Sequence, residues 1–146
     1  MTRALTLNHG GTPMKAPIPV HAAIPTKNEI LRMFPYLEDS RHSRGQGVPP
    51  FQWHGFNYVD PFQVPSCGNL EVIPLAVWHG KDHSPEPQKY INVGFRIGDF
   101  SYIGDVNVVP DLTKEKVEGT RFLVLNALRD TLQSAHFSFT EVLPIL

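Results

Sequence analysis

Apolar and polar positions alternate most clearly between Tyr90 and Ile97. There Ile91, Val93, Phe95 and Ile97 share one face at period two, as in a half-buried strand. Gly98-Asp99 follows as a two-residue hairpin signal, and Phe100 to Gly104 reads as the returning partner. Asn69 to Trp78 is a longer strand, with Pro74 marking an edge or a bulge. Phe51 to Phe56 also alternates. Pro17 to Ala22 reads as a short edge strand, since its prolines cannot donate to a ladder. The apolar run Phe122-Leu-Val-Leu125 suits a strand buried on both faces.

Helical signals are short. Thr26-Lys-Asn-Glu29 has the spacing of a capping box, and Ile30, Leu31, Met33 and Phe34 supply an apolar face that Pro35 ends. Asp111 is placed to cap a helix over 112–118. Ser138-Phe-Thr-Glu141 is a second capping box. That helix runs into Val142-Leu-Pro-Ile-Leu146, an apolar end without a packing partner, so the chain reads as truncated or altered there. Residues 1–16 show no period and read as a flexible leader; residues 38–50 and 81–89 read as loops.

Composition narrows the class. The chain has 146 residues, 41% of them hydrophobic, which excludes a disordered chain and fits one domain. Only 18% are charged, and 14 prolines with 11 glycines imply many turns. A net charge of −1 gives no basic face for nucleic acid or an anionic membrane. No stretch approaches the roughly 20 apolar residues of a membrane helix. Cys67 is the single cysteine and cannot form an internal disulfide, so a reducing, cytoplasmic location is expected.

Seven histidines raise the question of metal. His79 and His83 lie four apart, but Gly80 and Pro85 argue against a helix and the general-base Glu is missing. His21 and His54 sit in predicted strands and read as packing or surface residues. Three other positions carry more: His79 after a strand, Asp105 after the hairpin, and His136 before the second capping box. Such junctions present side chains at one rim. Imidazole and carboxylate together suit a borderline divalent ion, and Asp can bridge two.

Several ordered blocks carry a resemblance. They are Val72-Ile-Pro-Leu-Ala-Val-Trp-His79-Gly-Lys, Gly94 to Asp105 with Val108-Val-Pro110, and Phe122 to Leu128 with Ala135-His136-Phe-Ser138. Together with Ile18-Pro-Val-His-Ala and Met33-Phe-Pro-Tyr-Leu37, they resemble the metallo-β-lactamase superfamily over about residues 17–141. The nearest branch is the one that holds cyclic-phosphate phosphodiesterases. The resemblance implies an α+β fold: part of an αββα sandwich of mixed and antiparallel strands with short helices. It implies His79 and Asp105 as metal ligands, Asp105 bridging. It implies His136 as a phosphate contact or proton donor, zinc or manganese as cofactor, and a small phosphodiester as substrate.

The departures matter too. The family's His-x-His-x-Asp-His run is absent, Leu7-Asn-His9-Gly-Gly standing in its place, and a final His ligand would fall after Leu146. Asn126 occupies a position that is commonly Asp in the family. Residues 17–146 thus read as a partial domain lacking its first metal-motif segment and its C-terminal segment. Two metals need several protein ligands between them, so a chain with two ligands is expected to be a weak or inactive hydrolase. The alternative is a non-catalytic half-domain that self-associates into a homo-oligomer or binds a partner through an uncovered sheet.

Overall fold

In the computed structural model, residues 17–38, 51–81, 89–131 and 136–142 are described. The expected leader, most of the two loops and the apolar C-terminal end lie outside them. The chain divides into two units, Met1–Phe56 and Asn57–Leu146.

In the first unit, strand β1 (Ile18–Ala23) leads directly into helix α1 (Ile24–Met33), and β2 (Phe51–Phe56) returns parallel to β1. Parallel neighbours need a crossover, and the chain supplies one with a helix in it. The expected capping box at Thr26 does not form. Pro25, whose missing N–H costs nothing in a first helical turn, lets the helix begin at Ile24 with Ala23 as its uncapped N-cap. Glu29 instead pairs with Arg32. The helix ends at Met33, before Pro35, as the proline dictates. The helix lies over the Gly55 face of the strands, where a β-carbon on Gly55 would meet Ile24 Cγ1 at 3.0 Å.

The second unit is built around β4 (Leu70–Lys81). Short β3 (Phe62–Val64) and long β5 (Lys89–Ile97) pair antiparallel with it. The hairpin to β6 (Phe100–Ile103) turns at Gly98, whose φ of 56° is the left-handed conformation a glycine accepts freely. Strand β7 (Phe122–Leu125) pairs parallel with β6, giving the order β3-β4-β5-β6-β7. Among the described residues β7 is an edge. Phe122 is 63% and Val124 46% exposed, so the expectation of burial on both faces fails. Only Leu123 and Leu125 turn toward the core.

That core is Leu75, Val77, Ile103, Val106, Val109 and Phe137, with Val117, Leu123, Leu125 and Val142 packed around it. Helix α2 (Asp111–Val117) starts from Pro110 as N-cap. Asp111 is therefore its first residue rather than its cap, and its carboxylate holds Lys114. Half of the capping box at Ser138 forms: the Ser138 amide donates to Glu141 Oε2, but the hydroxyl also donates there, and the Glu141 amide donates to the Ser138 carbonyl at the opening of the single turn α3 (Phe139–Val142).

Strand β3 stops opposite Val72, leaving the rest of that β4 edge to be satisfied otherwise. Pro74 has no N–H to satisfy there, and its carbonyl accepts Lys116 Nζ at 3.2 Å. The carbonyl of Ala76 accepts the Thr113 hydroxyl. Trp78 bonds the backbone of Asn107 and Val108, and the Gly80 amide donates to Asn107 Oδ1. One proline, two side chains of α2 and one loop thus close an edge that would otherwise expose backbone. Pro74 does mark an edge, as expected, but a covered one. Among the described residues no helix is long and apolar enough to cross a membrane.

Candidate functional site

Each residue of the expected site is adjacent to, or two positions from, a buried anchor. His79 lies two positions beyond fully buried Val77, still within β4, at a break in the β4–β5 register between Trp78 and Lys81. Asp105 directly precedes fully buried Val106. His136 directly precedes Phe137, whose amide donates to the Val106 carbonyl and whose carbonyl accepts the Leu128 amide. The apolar residues are held by burial, and their polar neighbours are carried to the rim with them.

The three converge. The His79 and His136 rings meet edge to face with centroids 4.7 Å apart. His136 Nδ1 lies 3.8 Å from Asp105 Oδ1. The His136 side chain is 24% exposed and that of Asp105 57%, so the imidazole is sheltered and the carboxylate wet. Nδ1 of His136 is buried and has no hydrogen-bond partner among the described residues. It points toward a carboxylate just beyond hydrogen-bond reach.

Asparagines frame the acid. Asn126 Nδ2 approaches Asp105 Oδ1 at 3.4 Å, and the Asn126 amide is tied to the Ile103 carbonyl. Asn92 Nδ2 donates to the Asp105 carbonyl at 2.9 Å. The sequence marked Asn126 only as a lost carboxylate; its contact with Asp105, and those of Asn92 and Asn107 with the rim, carry no spacing signal in the chain. His83 lies outside the described residues, so its pairing with His79 does too. In the first unit, His21 and His54 stack on each other, which neither residue's context suggested.

The donor types fit a borderline divalent ion, but their number does not. Among the described residues, no three of His, Cys, Asp or Glu stand where they could hold a metal ion. What the described rim can do alone is acid–base chemistry. Closing the 3.8 Å gap by less than 1 Å would let Asp105 accept a hydrogen bond from His136 Nδ1–H, leaving Nε2 for a reactant.

A mixed sheet of parallel and antiparallel strands, short helices and a rim of imidazole and carboxylate define an α+β fold of the metallo-β-lactamase type. A family model described as the beta-lactamase superfamily domain matches residues 2–146, and the chain belongs to that family. It is similar in fold to a solved structure described as a new diphosphatase from the PhnP family, with a TM-score of 0.66 and 23% identity. That match covers 89% of this chain and 43% of the other, so the chain spans less than half of that relative. No curated protein matches it. The expected partial αββα architecture is borne out.

Proposed function

We propose that the chain carries part of a phosphodiesterase-like hydrolase site. In this reading His79 and Asp105 occupy metal-ligand positions, and His136 contacts a phosphate or protonates the leaving oxygen. The observation that carries it is the grouping of His79, His136 and Asp105, drawn from three separate segments, on one rim of the sheet. An imidazole 3.8 Å from a carboxylate, when doubly protonated, can face the acid with Nδ1–H and give its Nε2 proton to the departing oxygen of a phosphodiester. The relative described as a diphosphatase supports hydrolysis at phosphorus as the reaction class.

The divalent cofactor, zinc or manganese, belongs to the same reading, as does its incompleteness. The 146 residues contain no His-x-His-x-Asp-His run, and the described rim falls short of a metal centre. On its own the chain is therefore a weak or inactive hydrolase. The single cysteine supports a cytoplasmic setting. The test is metal content and turnover of bis(4-nitrophenyl) phosphate with added Zn2+ or Mn2+. Substoichiometric metal and less than one turnover are expected. Tightly held stoichiometric metal with repeated turnover overturns the incompleteness.

A second reading has its own support. Phe100, Tyr102, Phe122 and Val124 lie in register on one face of β6 and β7, each at least 42% exposed. Such a face favours a non-catalytic half-domain that self-associates or binds a partner. Light scattering after size exclusion decides: a mass above the 16.4 kDa monomer supports it, and a clean monomer counts against it.

A further inference from the structure

We propose that Asn107 is a positioning residue that sets the His79 imidazole against His136, acting through a β-bulge at His79-Gly80. The proposal rests on the reading of the rim as a hydrolase site and adds the device that holds its strand-borne member in place.

The register shows the bulge. Trp78 pairs with Ile91, and Lys81 with Lys89. Two residues of β4, His79 and Gly80, therefore stand against one residue of β5, Tyr90. An extra residue bends its strand and re-aims the side chain beside it. Gly80 has a φ of 66°, the left-handed conformation that a β-carbon disfavours. A bulge also takes backbone groups out of the ladder, so they need partners elsewhere. The Gly80 amide finds one in Asn107 Oδ1 at 3.2 Å.

Asn107 grips the chain on both sides of His79. Its own amide donates to the Trp78 carbonyl at 2.8 Å, and its side chain accepts from Gly80. Closing the strand edge at Trp78 needs only the backbone of Asn107 and Val108, which makes the bridge there. The side chain reaches past that bridge to the residue after His79.

Three consecutive residues then register the whole rim. Asp105 carries the carboxylate, and its carbonyl accepts Asn92 Nδ2 from β5. The Val106 carbonyl accepts the Phe137 amide, one residue from His136. Asn107 holds Gly80, one residue from His79. Val106, fully buried, anchors all three. The ring contact of His79 with His136 and the approach of His136 to Asp105 are thus set from one short segment. Groups that act together need such shared support, since their geometry must hold to within about 0.5 Å.

The test is NMR of the full chain without metal or substrate. The unsubstituted chain should show cross-relaxation between the His79 and His136 ring protons. Asn107→Ala keeps the backbone bonds to Trp78. It should lose the ring signal and speed exchange of the Gly80 amide ~10-fold, as loss of one hydrogen bond implies. Asn107→Asp keeps an oxygen acceptor at the same place and should retain both. Absence of the ring signal from the unsubstituted chain, or its survival in a folded Asn107→Ala chain, overturns the proposal. So does an Asn107→Asp chain that loses the signal as completely as Asn107→Ala, because the acceptor would then not be what matters. Should Asn107→Ala not fold, Gly80 in the unsubstituted chain decides: slow amide exchange supports the grip, and exchange as fast as that of an unbonded amide overturns it. Hydrolysis is not read, so failure here leaves the hydrolase reading standing. Failure of that reading, in metal content and turnover, leaves the positioning of His79 untouched.

Discussion

His136 Nδ1 faces Asp105 Oδ1 across 3.8 Å, and the His79 ring meets the same imidazole edge to face. If the pair acts as a proton donor and its orienting acid, Asp105→Asn and His136→Gln should each remove most of any residual phosphodiester hydrolysis. The double variant should lose little more than either single one, because groups acting as a unit are non-additive. The measurement is initial rate on bis(4-nitrophenyl) phosphate, with near-ultraviolet circular dichroism to show that the core is intact. Additive losses would separate the two residues.

Gly94 makes a prediction about the sheet that holds this rim. A β-carbon there would stand 2.5 Å from the Tyr102 carbonyl oxygen and 2.9 Å from Ile103 Cγ1. The first of these is backbone of the neighbouring strand and cannot swing away. Gly94→Ala should therefore cost about 1–3 kcal/mol, as overpacking does. Gly55→Ala, which meets the Ile24 side chain at 3.0 Å, should cost less. Urea midpoints of the two variants check the order.

Most of this framework is legible in the chain because local patterns and tertiary packing agree there. The strand over Ile91 to Ile97 and the Gly98 turn form as written, but burial does not alternate along the strand: Ile91 is exposed, and the buried position is Gly94, register partner of core Leu75 on the opposite face. The misses are places where a neighbour decides. Phe122 and Val124 read as core by composition, but β7 has no described strand beyond it to bury them. Thr26 loses its capping role to Pro25, with which the helix opens three residues earlier. The rim positions of His79, Asp105 and His136 were readable from strand and helix junctions together with the family resemblance. The framing by Asn92 and Asn126 was not, since it depends on strand register. The His21–His54 stack was hidden for the same reason: parallel pairing across a long crossover leaves no mark on local sequence.

Thr113 tests how β4 tolerates its missing neighbour. It is 3% exposed, and its hydroxyl satisfies the Ala76 carbonyl on the edge that β3 does not reach. Thr113→Val keeps the volume and removes the donor. A carbonyl left buried without a partner costs about 1–3 kcal/mol. Thr113→Ser keeps the hydroxyl and should retain more of the stability. Chemical denaturation of the two variants should rank serine above valine; the reverse order would mean that the methyl group, not the hydrogen bond, holds α2 to the strand.

Ser138 offers a similar test at the other end of the rim. Its hydroxyl and amide both reach Glu141, and the serine is fully buried. Ser138→Ala should cost about 1.5–3 kcal/mol, the usual value of a hydrogen bond to a charged group. Because Phe137 sits between Ser138 and His136, the loss should also loosen the imidazole. The expected signature is a lower unfolding temperature together with faster amide exchange at Phe137 and His136. A stability loss without faster exchange there would confine the serine's role to α3.

The pH dependence of the first unit follows from His21. Burial, and then the charge of His54, lower its pKa in the folded chain below the ordinary value of 6.5. The unfolded chain therefore takes up the proton first as pH falls. Between the unfolded and folded values it binds more protons than the native state, so stability declines with acidification through that window. Above about pH 7.5 the contribution is fully present, and below the folded value it is fully lost. His54→Gln removes the charge that repels a protonated His21 and should flatten the decline, while desolvation of His21 leaves part of it. Denaturation midpoints taken from pH 7.5 to 5 on the two chains measure the difference. An unchanged slope in His54→Gln would assign the whole effect to burial.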